Sequence, residues 1–224
     1  MTNREYGQFC GLARAAEIVG QRWTLLILRD LRVGPRRYSD LVAGLPGIPT
    51  NTLATRLKEL EEDGLLIREA VRKPERTTVY SLTPRGEELG PAMDALSRWG
   101  AAGMRAPRAG EIVTLASFTA ALQVAAGDAV VPRGWNTTFA VKVGDIEVQV
   151  VMRGGAITVS PGHADSPDLT ITAGPGIRDL LAREIDAAGA IESGVVQLEG
   201  DTALFDRFVG SMYVPYSDNV PISA

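Results

Sequence analysis

The sequence predicts an α+β protein of two domains. The first half is rich in helices and carries a hairpin before its last helix, and the second half is an antiparallel sheet with helices on one side. Three observations predict it: apolar residues recur at helical spacing up to about residue 64, strand-like alternation follows, and the second half runs helix, strands, helices, strand, helix. We place the domains at residues 1–105 and 110–224, with a linker rich in Ala, Gly, Pro and Arg between them.

Composition indicates a globular chain with an uneven charge. The 224 residues are 45% hydrophobic and include one cysteine, which excludes an intrachain disulfide framework. No apolar run approaches a membrane span and the first residues lack a signal-peptide pattern, so we expect a cytoplasmic protein without a membrane partner. Residues 1–108 hold 17 basic and 13 acidic residues, a net of +4, whereas residues 109–224 hold 6 and 14, a net of −8. The first half is therefore the part to consider for binding to a polyanion.

The first half predicts three helices before its hairpin. Residues 9–31 carry one apolar stripe and predict a single long helix, and Gly34-Pro35 ends it. A short helix opens at Arg36-Arg37 and ends near Gly44. Residues 48–64 predict the third helix, because Leu53, Leu57 and Leu60 share a face and Gly64 can adopt the left-handed conformation that ends a helix.

The hairpin and a last helix complete this half. Residues 66–72 and 77–82 are strand-like, residues 73–76 form the turn between them, and residues 83–99 predict a capped helix. Two short helices joined by a tight turn and followed by a basic hairpin are the organisation of a winged helix-turn-helix.

Residues 6–103 resemble the HxlR-type transcriptional regulators, relatives of the MarR group. The motifs that carry the resemblance are Cys10 ahead of Val19-Gly20-Gln21-Arg22-Trp23-Thr24, then Arg37-Tyr38-Ser39-Asp40-Leu41, Gly47-Ile48-Pro49, Leu60-Glu61-Glu62-Asp63-Gly64-Leu65, Tyr80-Ser81-Leu82-Thr83 and Trp99. The resemblance implies a homodimer whose interface is made by the first and last helices of this half, and two wings that bind a palindromic site on double-stranded DNA.

Ten residues are the expected DNA contacts. Arg56 is the candidate for a guanine contact, because its guanidinium can pair with two acceptors on one base edge; an ion pair with Glu59 or Asp63 is its alternative role. The other predicted groove contacts are Thr50, Asn51, Thr52 and Thr55. The predicted phosphate contacts are Arg36, Arg37, Arg72, Lys73 and Arg76.

Cys10 has two possible roles. Some regulators of this type sense oxidants or electrophiles through a cysteine near this position, and Arg14 lies one helical turn further on. The family commonly has proline after this cysteine, where this chain has Gly11. We expect a buried structural thiol, with a redox role as the alternative.

The second half predicts a sheet that packs against helices. A helix over residues 113–126 precedes a meander of three strands at residues 137–143, 146–152 and 156–160. A fourth strand at residues 168–172 follows, and Gly174-Pro175-Gly176 leads into a helix through Leu180 and Leu181. A second helical piece at residues 185–192, a fifth strand at residues 195–198 and a last helix at residues 202–212 complete this half. The segments Ala164-Asp165-Ser166-Pro167-Asp168-Leu169 and Val196-Gln197-Leu198-Glu199-Gly200-Asp201 resemble the sterol-carrier-protein-like domain, which implies an apolar tunnel for a hydrophobic ligand.

Apolar residues of the second half either line such a pocket or form an ordinary core. Periodicity does not separate the two. The candidates are Phe118, Leu122, Trp135, Phe139, Val150, Met152, Leu181, Phe205, Phe208 and Met212.

Nothing in the sequence predicts an enzyme, a cofactor or a metal site. The one histidine, His163, lies in a Gly- and Pro-containing turn without ligand-spaced partners, and we expect a surface residue. The sequence therefore predicts a homodimeric DNA-binding regulator that a small hydrophobic effector modulates. Two alternatives stay open: a redox regulator acting through Cys10, and a carrier of hydrophobic ligands whose winged helix mediates protein contacts.

Overall fold

The computed structural model describes residues 5–71, 77–127, 129–174 and 176–217. The chain divides into two compact units, Met1–Met93 and Asp94–Ala224. The division falls inside the helix Gly90–Ala101, whereas we predicted a linker at residues 101–110. The boundaries of the two domains remain a prediction.

The first unit is a winged helix-turn-helix. Its elements are α1 (Gly11–Val19), α2 (Thr24–Arg32), β1 (Arg36–Arg37), α3 (Tyr38–Gly44), α4 (Thr50–Glu62), β2 (Leu66–Val71), β3 (Thr77–Leu82), α5 (Pro84–Glu87) and α6 (Gly90–Ala101), which continues into the second unit. The strands form an antiparallel sheet in the order β1-β3-β2. Tyr80 on the central strand β3 lies opposite Arg68 of β2 on one side and opposite Arg36 of β1 on the other. Leucines of α2, α3 and α4 form the core together with Ile27, Ile48 and Met93.

The structure corrects two predictions for the first unit. The single helix predicted over residues 9–31 is two helices, because α1 ends at Val19 and Trp23 has a left-handed backbone with φ +79°. Leu12 and Leu26 of the expected apolar stripe are exposed. The short helix that we predicted to open at Arg36 and Arg37 begins at Tyr38, with Arg37 as its N-cap residue. Arg36 and Arg37 themselves form β1, which pairs with β3 and adds a third strand to the wing.

The second unit is a five-stranded sheet covered on one face by helices. Its elements are α7 (Leu115–Ala126), β4 (Asn136–Val143), β5 (Ile146–Arg153), β6 (Ala156–Pro161), β7 (Leu169–Ala173), α8 (Ile177–Ala182), α9 (Ala187–Glu192), β8 (Val196–Gly200), a 3₁₀ turn (Thr202–Leu204) and α10 (Phe205–Ser211). Phe139, Val150 and Ile171 lie on the covered face, whereas Thr138, Gln149 and Thr170 alternate with residues of that face and are partly exposed.

We predicted a wholly antiparallel sheet, and this prediction is wrong because the sheet is mixed. Its strand order is β6-β5-β4-β7-β8, and β4 pairs with β7 in parallel, with Phe139 opposite Leu169. The meander β4-β5-β6 is antiparallel, as predicted. The segment between β6 and β7 returns the chain to the far side of β4, which local alternation does not show. The sterol-carrier-like identity of this unit stays a prediction.

Candidate nucleic-acid interface

Helix α4 separates an apolar face from a polar one. Leu53, Leu57 and Leu60 are at most 2% exposed, whereas Thr50, Asn51 and Thr55 are exposed. The helix ends in a Schellman motif: Leu65 N–H donates to Leu60 O over 2.9 Å and Gly64 N–H donates to Glu61 O over 3.0 Å. Gly64 has φ +70°, as its predicted role at the helix end requires. The leucines therefore fix which side of α4 faces solvent.

Helix α3 holds the first turn of α4 in place. The Tyr38 hydroxyl donates a hydrogen bond to the Thr50 carbonyl oxygen over 2.8 Å. Leu41, Leu45 and Ile48 are buried beneath the turn that joins the two helices. The polar residues at the start of α4 thus stand on a packed support, as a surface that docks into a groove requires.

Hydrogen bonds to nearby backbone groups hold the side chains of two predicted groove residues in place. The Thr55 hydroxyl donates to Asn51 O over 2.9 Å, and Asn51 Oδ1 accepts a hydrogen bond from Thr52 N–H over 2.8 Å. The Asn51 amide nitrogen keeps two donors and the Thr55 hydroxyl oxygen can still accept. Donors and acceptors of this kind can read base edges in the major groove.

Arg56 adopts the alternative role that its sequence neighbours allow. Its Nη1 forms an ion pair with Glu59 Oε2, and its Nη2 donates to Gln21 Oε1 over 3.3 Å. The Arg56 side chain is 19% exposed. The guanidinium is thereby fixed beside the groove-facing residues, and contact with a base remains a prediction.

Arg36 and Arg37 have different surroundings. Arg36 Nε donates to the carbonyl oxygen of Asp30 over 3.3 Å, while Arg29 donates twice to the Asp30 carboxylate, over 2.8 and 2.6 Å. Burial raises the pKa of Asp30, and the charges of Arg29 and Arg36 oppose that rise. Arg36 is thus half-buried against α2, whereas Arg37 is exposed. Of the two, Arg37 is the better placed for phosphate.

The predicted contacts of the wing tip, Arg72, Lys73 and Arg76, lie outside the described residues. The strands on either side of them are formed as predicted. Sequence reasoning missed Arg68, which is exposed on β2 and adds a cation to the body of the wing.

Sequence reasoning also missed a pocket beside α4. It has a volume of about 310 Å³ and is lined by Gln21, Arg22, Trp23, Gly47, Pro49, Thr52 and Arg56. Three of these residues belong to the turn between α1 and α2. Gly20 inside an apolar helical pattern was the one local signal for that turn.

The ten candidate ligand residues belong to the apolar core of the second unit. Trp135 is partly exposed and carries the guanidinium of Arg207 5.0 Å from its ring centre, whereas the other nine are between 0% and 7% exposed. A surface pocket of about 300 Å³ in this unit is lined by other residues, among them Arg183, Asp186 and Asp206. Whether a ligand enters the core remains a prediction.

Cys10 and His163 are both exposed. The expectation of a buried thiol is therefore wrong: α1 starts only at Gly11, and Phe9 beside the cysteine is fully exposed. His163 is a surface residue of a turn, as predicted, with Nδ1 2.9 Å from Glu147 Oε1. Among the described residues, no cluster of His, Cys, Asp and Glu could hold a metal ion. Within the same part of the chain, no helix combines the length and apolar character of a membrane span.

The known proteins that this chain resembles match its first half. Residues 18–107 match the family described as HxlR-like helix-turn-helix. An uncharacterized HTH-type transcriptional regulator of Synechocystis sp. is 35% identical over 96 residues, which are 43% of this chain and 71% of that protein. YvaP, an uncharacterized HTH-type transcriptional regulator of Bacillus subtilis, is 36% identical over 38% of this chain and 80% of its own length.

A third relative and one solved structure also match less than half of this chain. An uncharacterized HTH-type transcriptional regulator of Mycobacterium tuberculosis is 42% identical over 100 residues, which are 45% of this chain and 61% of that protein. Among solved structures, the reduced form of the transcriptional regulator YodB from B. subtilis is 30% identical, with a TM-score of 0.38, over 42% of this chain and 93% of that chain.

Proposed function

The chain belongs to the HxlR-like helix-turn-helix family, and from that premise we propose that it is a dimeric transcriptional regulator that reads double-stranded DNA with α4. The observation that carries the proposal is the exposed polar start of α4 above a leucine core. Thr50, Asn51 and Thr55 present hydrogen-bonding groups there, and the acids Glu61 and Glu62 lie at the other end of the helix. This arrangement suits the negative potential of DNA.

The dimer is the second part of the proposal. In the first unit, Tyr6 and Phe9 ahead of α1 and Leu12 on α1 are 61%, 108% and 79% exposed. Large apolar side chains exposed in such numbers are typical of a surface that a partner covers. A two-fold dimer would present two copies of α4 to two half-sites of a palindrome about one helical turn apart.

Selection from a pool of random duplexes tests the DNA-binding function. The full-length protein is expected to enrich a palindromic sequence, and footprinting of the enriched operator is expected to show two protected half-sites. Enrichment of no sequence would contradict a role in specific DNA recognition.

A hydrophobic effector is the third part of the proposal. The second unit supports it by its size and by the apolar layer between sheet and helices, where Phe139, Phe205 and Phe208 meet. Because these residues are buried, a ligand would need α10 to move away from the sheet. A fluorescent fatty acid would bind and shift operator affinity, since a ligand changes an equilibrium by its differential affinity for the two states. Binding without any change in operator affinity would contradict this part.

The redox alternative is favoured by the exposure of Cys10 at the start of α1. An oxidant that changes the operator affinity of the wild type and leaves that of Cys10→Ser unchanged would support it. The same response of both proteins would exclude it.

A further inference from the structure

The turn between α1 and α2 has a backbone that its sequence does not favour. Trp23 has φ +79°, and a bulky residue in the left-handed region costs about 1–3 kcal/mol. Such a conformation persists only where surrounding contacts enforce it, and residues of this kind concentrate at functional sites. Here it places Gln21 and Arg22 beside the first two turns of α4, where both line the 310 Å³ pocket.

The lining of this pocket suits an anion. Arg22 and Arg56 contribute guanidinium groups, Gln21 an amide and Thr52 a hydroxyl, and none of the residues that line it is acidic. Guanidinium, amide and hydroxyl groups are the side-chain donors that bind phosphate oxygens in protein–DNA complexes.

Arg22 is the cation that an incoming anion can use. Arg56 is paired with Glu59, whereas Arg22 forms no ion pair in the described part of the chain. The Arg22 side chain is exposed, and its guanidinium carbon lies 5.2 Å from the centre of the Trp23 ring. That contact orients the guanidinium without neutralising its charge.

We propose that this pocket binds one backbone phosphate of the DNA, with Arg22 as its cation and the Thr52 hydroxyl as a second donor. The proposal rests on DNA binding by α4 and adds a contact that fixes how the helix sits along the groove. A phosphate contact positions a protein and carries no sequence information. Arg22 is therefore expected to contribute equally to the operator and to unrelated DNA.

The test compares full-length wild type with Arg22→Ala, Arg22→Lys and Arg14→Ala in DNA-binding titrations at several salt concentrations. We expect Arg22→Ala to weaken binding to operator and random DNA by the same factor, on the order of tenfold. The slope of log affinity against log salt should become shallower by roughly 0.9 for one lost phosphate contact. Arg22→Lys should keep the slope. Arg14→Ala removes an equal charge from an arginine that pairs with Glu17, and should leave the affinity unchanged.

Any of three results would overturn the proposal while leaving DNA binding by α4 intact. One is an Arg22→Ala variant with the wild-type slope and affinity. Another is a loss confined to the operator, which would make Arg22 a base contact. A melting shift with inorganic phosphate at constant ionic strength, abolished in Arg22→Ala while DNA binding is unchanged, would assign the pocket to a free anion and also overturn it. A wild type that binds no DNA would instead contradict the proposed function.

Discussion

Arg56 Nη2 donates a hydrogen bond to Gln21 Oε1 over 3.3 Å, and thereby joins α4 to the turn before α2 across 35 positions of the chain. Glu59 holds the other terminal nitrogen of the same guanidinium. Gln21 is neutral, so it directs the guanidinium without competing for its charge. We infer that Gln21 is a positioning residue for Arg56.

Replacing Gln21 tests this role. Gln21→Ala is expected to lower the preference for the operator over an operator with one substituted base pair several-fold, on the order of 1 kcal/mol, because Arg56 loses one constraint on its geometry. Affinity for random DNA should fall less than affinity for the operator. Competition titrations measure the ratio, and the Gln21→Ala/Arg56→Ala double variant provides the control. An additive loss in the double variant would show that Gln21 acts independently of Arg56.

The end of α4 allows a test of backbone conformation alone. A Cβ at Gly64 would meet no atom within 4 Å, yet φ is +70°, so Gly64→Ala is expected to cost about 1–2 kcal/mol of unfolding free energy. Gly210→Ala in α10 is the control, since its Cβ also has space and its φ is not positive; there we expect a gain of roughly 0.5–1 kcal/mol. Denaturant titration measures both, and equal effects would contradict the assigned helix end.

The exposed residue Leu12 tests the dimer. Leu12→Glu is expected to give a monomer in sedimentation experiments, because it places a charge where the proposed interface excludes water. Unfolding of the isolated chain should be little affected, since the side chain is 79% exposed. Arg14→Ala, also on α1, should remain dimeric. A dimeric Leu12→Glu would place the interface elsewhere.

Glu147 predicts a pH dependence in the second unit. Partial burial works to raise its pKa, but hydrogen bonds from Ala164 N–H and His163 and the charge of Lys142 outweigh it, and the net pKa is lowered. A carboxyl whose pKa is lower in the folded state than in the unfolded state stabilises the fold when the pH is above its ordinary pKa. This stabilisation is lost as the pH falls through the pKa of the folded state.

The variant Glu147→Gln tests whether the pKa of Glu147 is lowered in the folded state. It should be less stable than the wild type at neutral pH, and the difference in denaturation midpoint should shrink as the pH falls below the ordinary carboxyl range. Glu199→Gln, at an exposed residue of β8, controls for the loss of one charge. A difference that grows on acidification would contradict the lowered pKa.

The parts of the fold that the sequence predicted well depend on local patterns. The leucine spacing of α4 and the glycine at its end specify one helix, and alternation specifies β2, β3 and the meander β4-β5-β6. The break at Gly20 was missed because one glycine inside an apolar pattern does not show that Trp23 will turn left-handed. Packing of Trp23 against the core of the first unit accompanies that turn.

The other errors concern contacts between distant residues. Arg36 pairs with Tyr80 and Phe139 with Leu169, and neither pairing leaves a trace in the spacing of either segment. The candidate site shows the same limit. The helical spacing was enough to predict that Thr50, Asn51 and Thr55 lie on the exposed face of α4. Gln21 and Arg22 are distant from α4 in sequence, and only the tertiary fold brings them beside it.

The most direct test of DNA reading by α4 compares wild type with Asn51→Ala/Arg56→Ala on the selected operator and on random DNA, over a range of salt. We predict a linear fall of log affinity with log salt for the wild type. The double variant should lose about 1–3 kcal/mol per removed base contact on the operator, and much less on random DNA. Equal operator affinity of the two proteins, or DNA affinity that does not change with salt, would contradict the account.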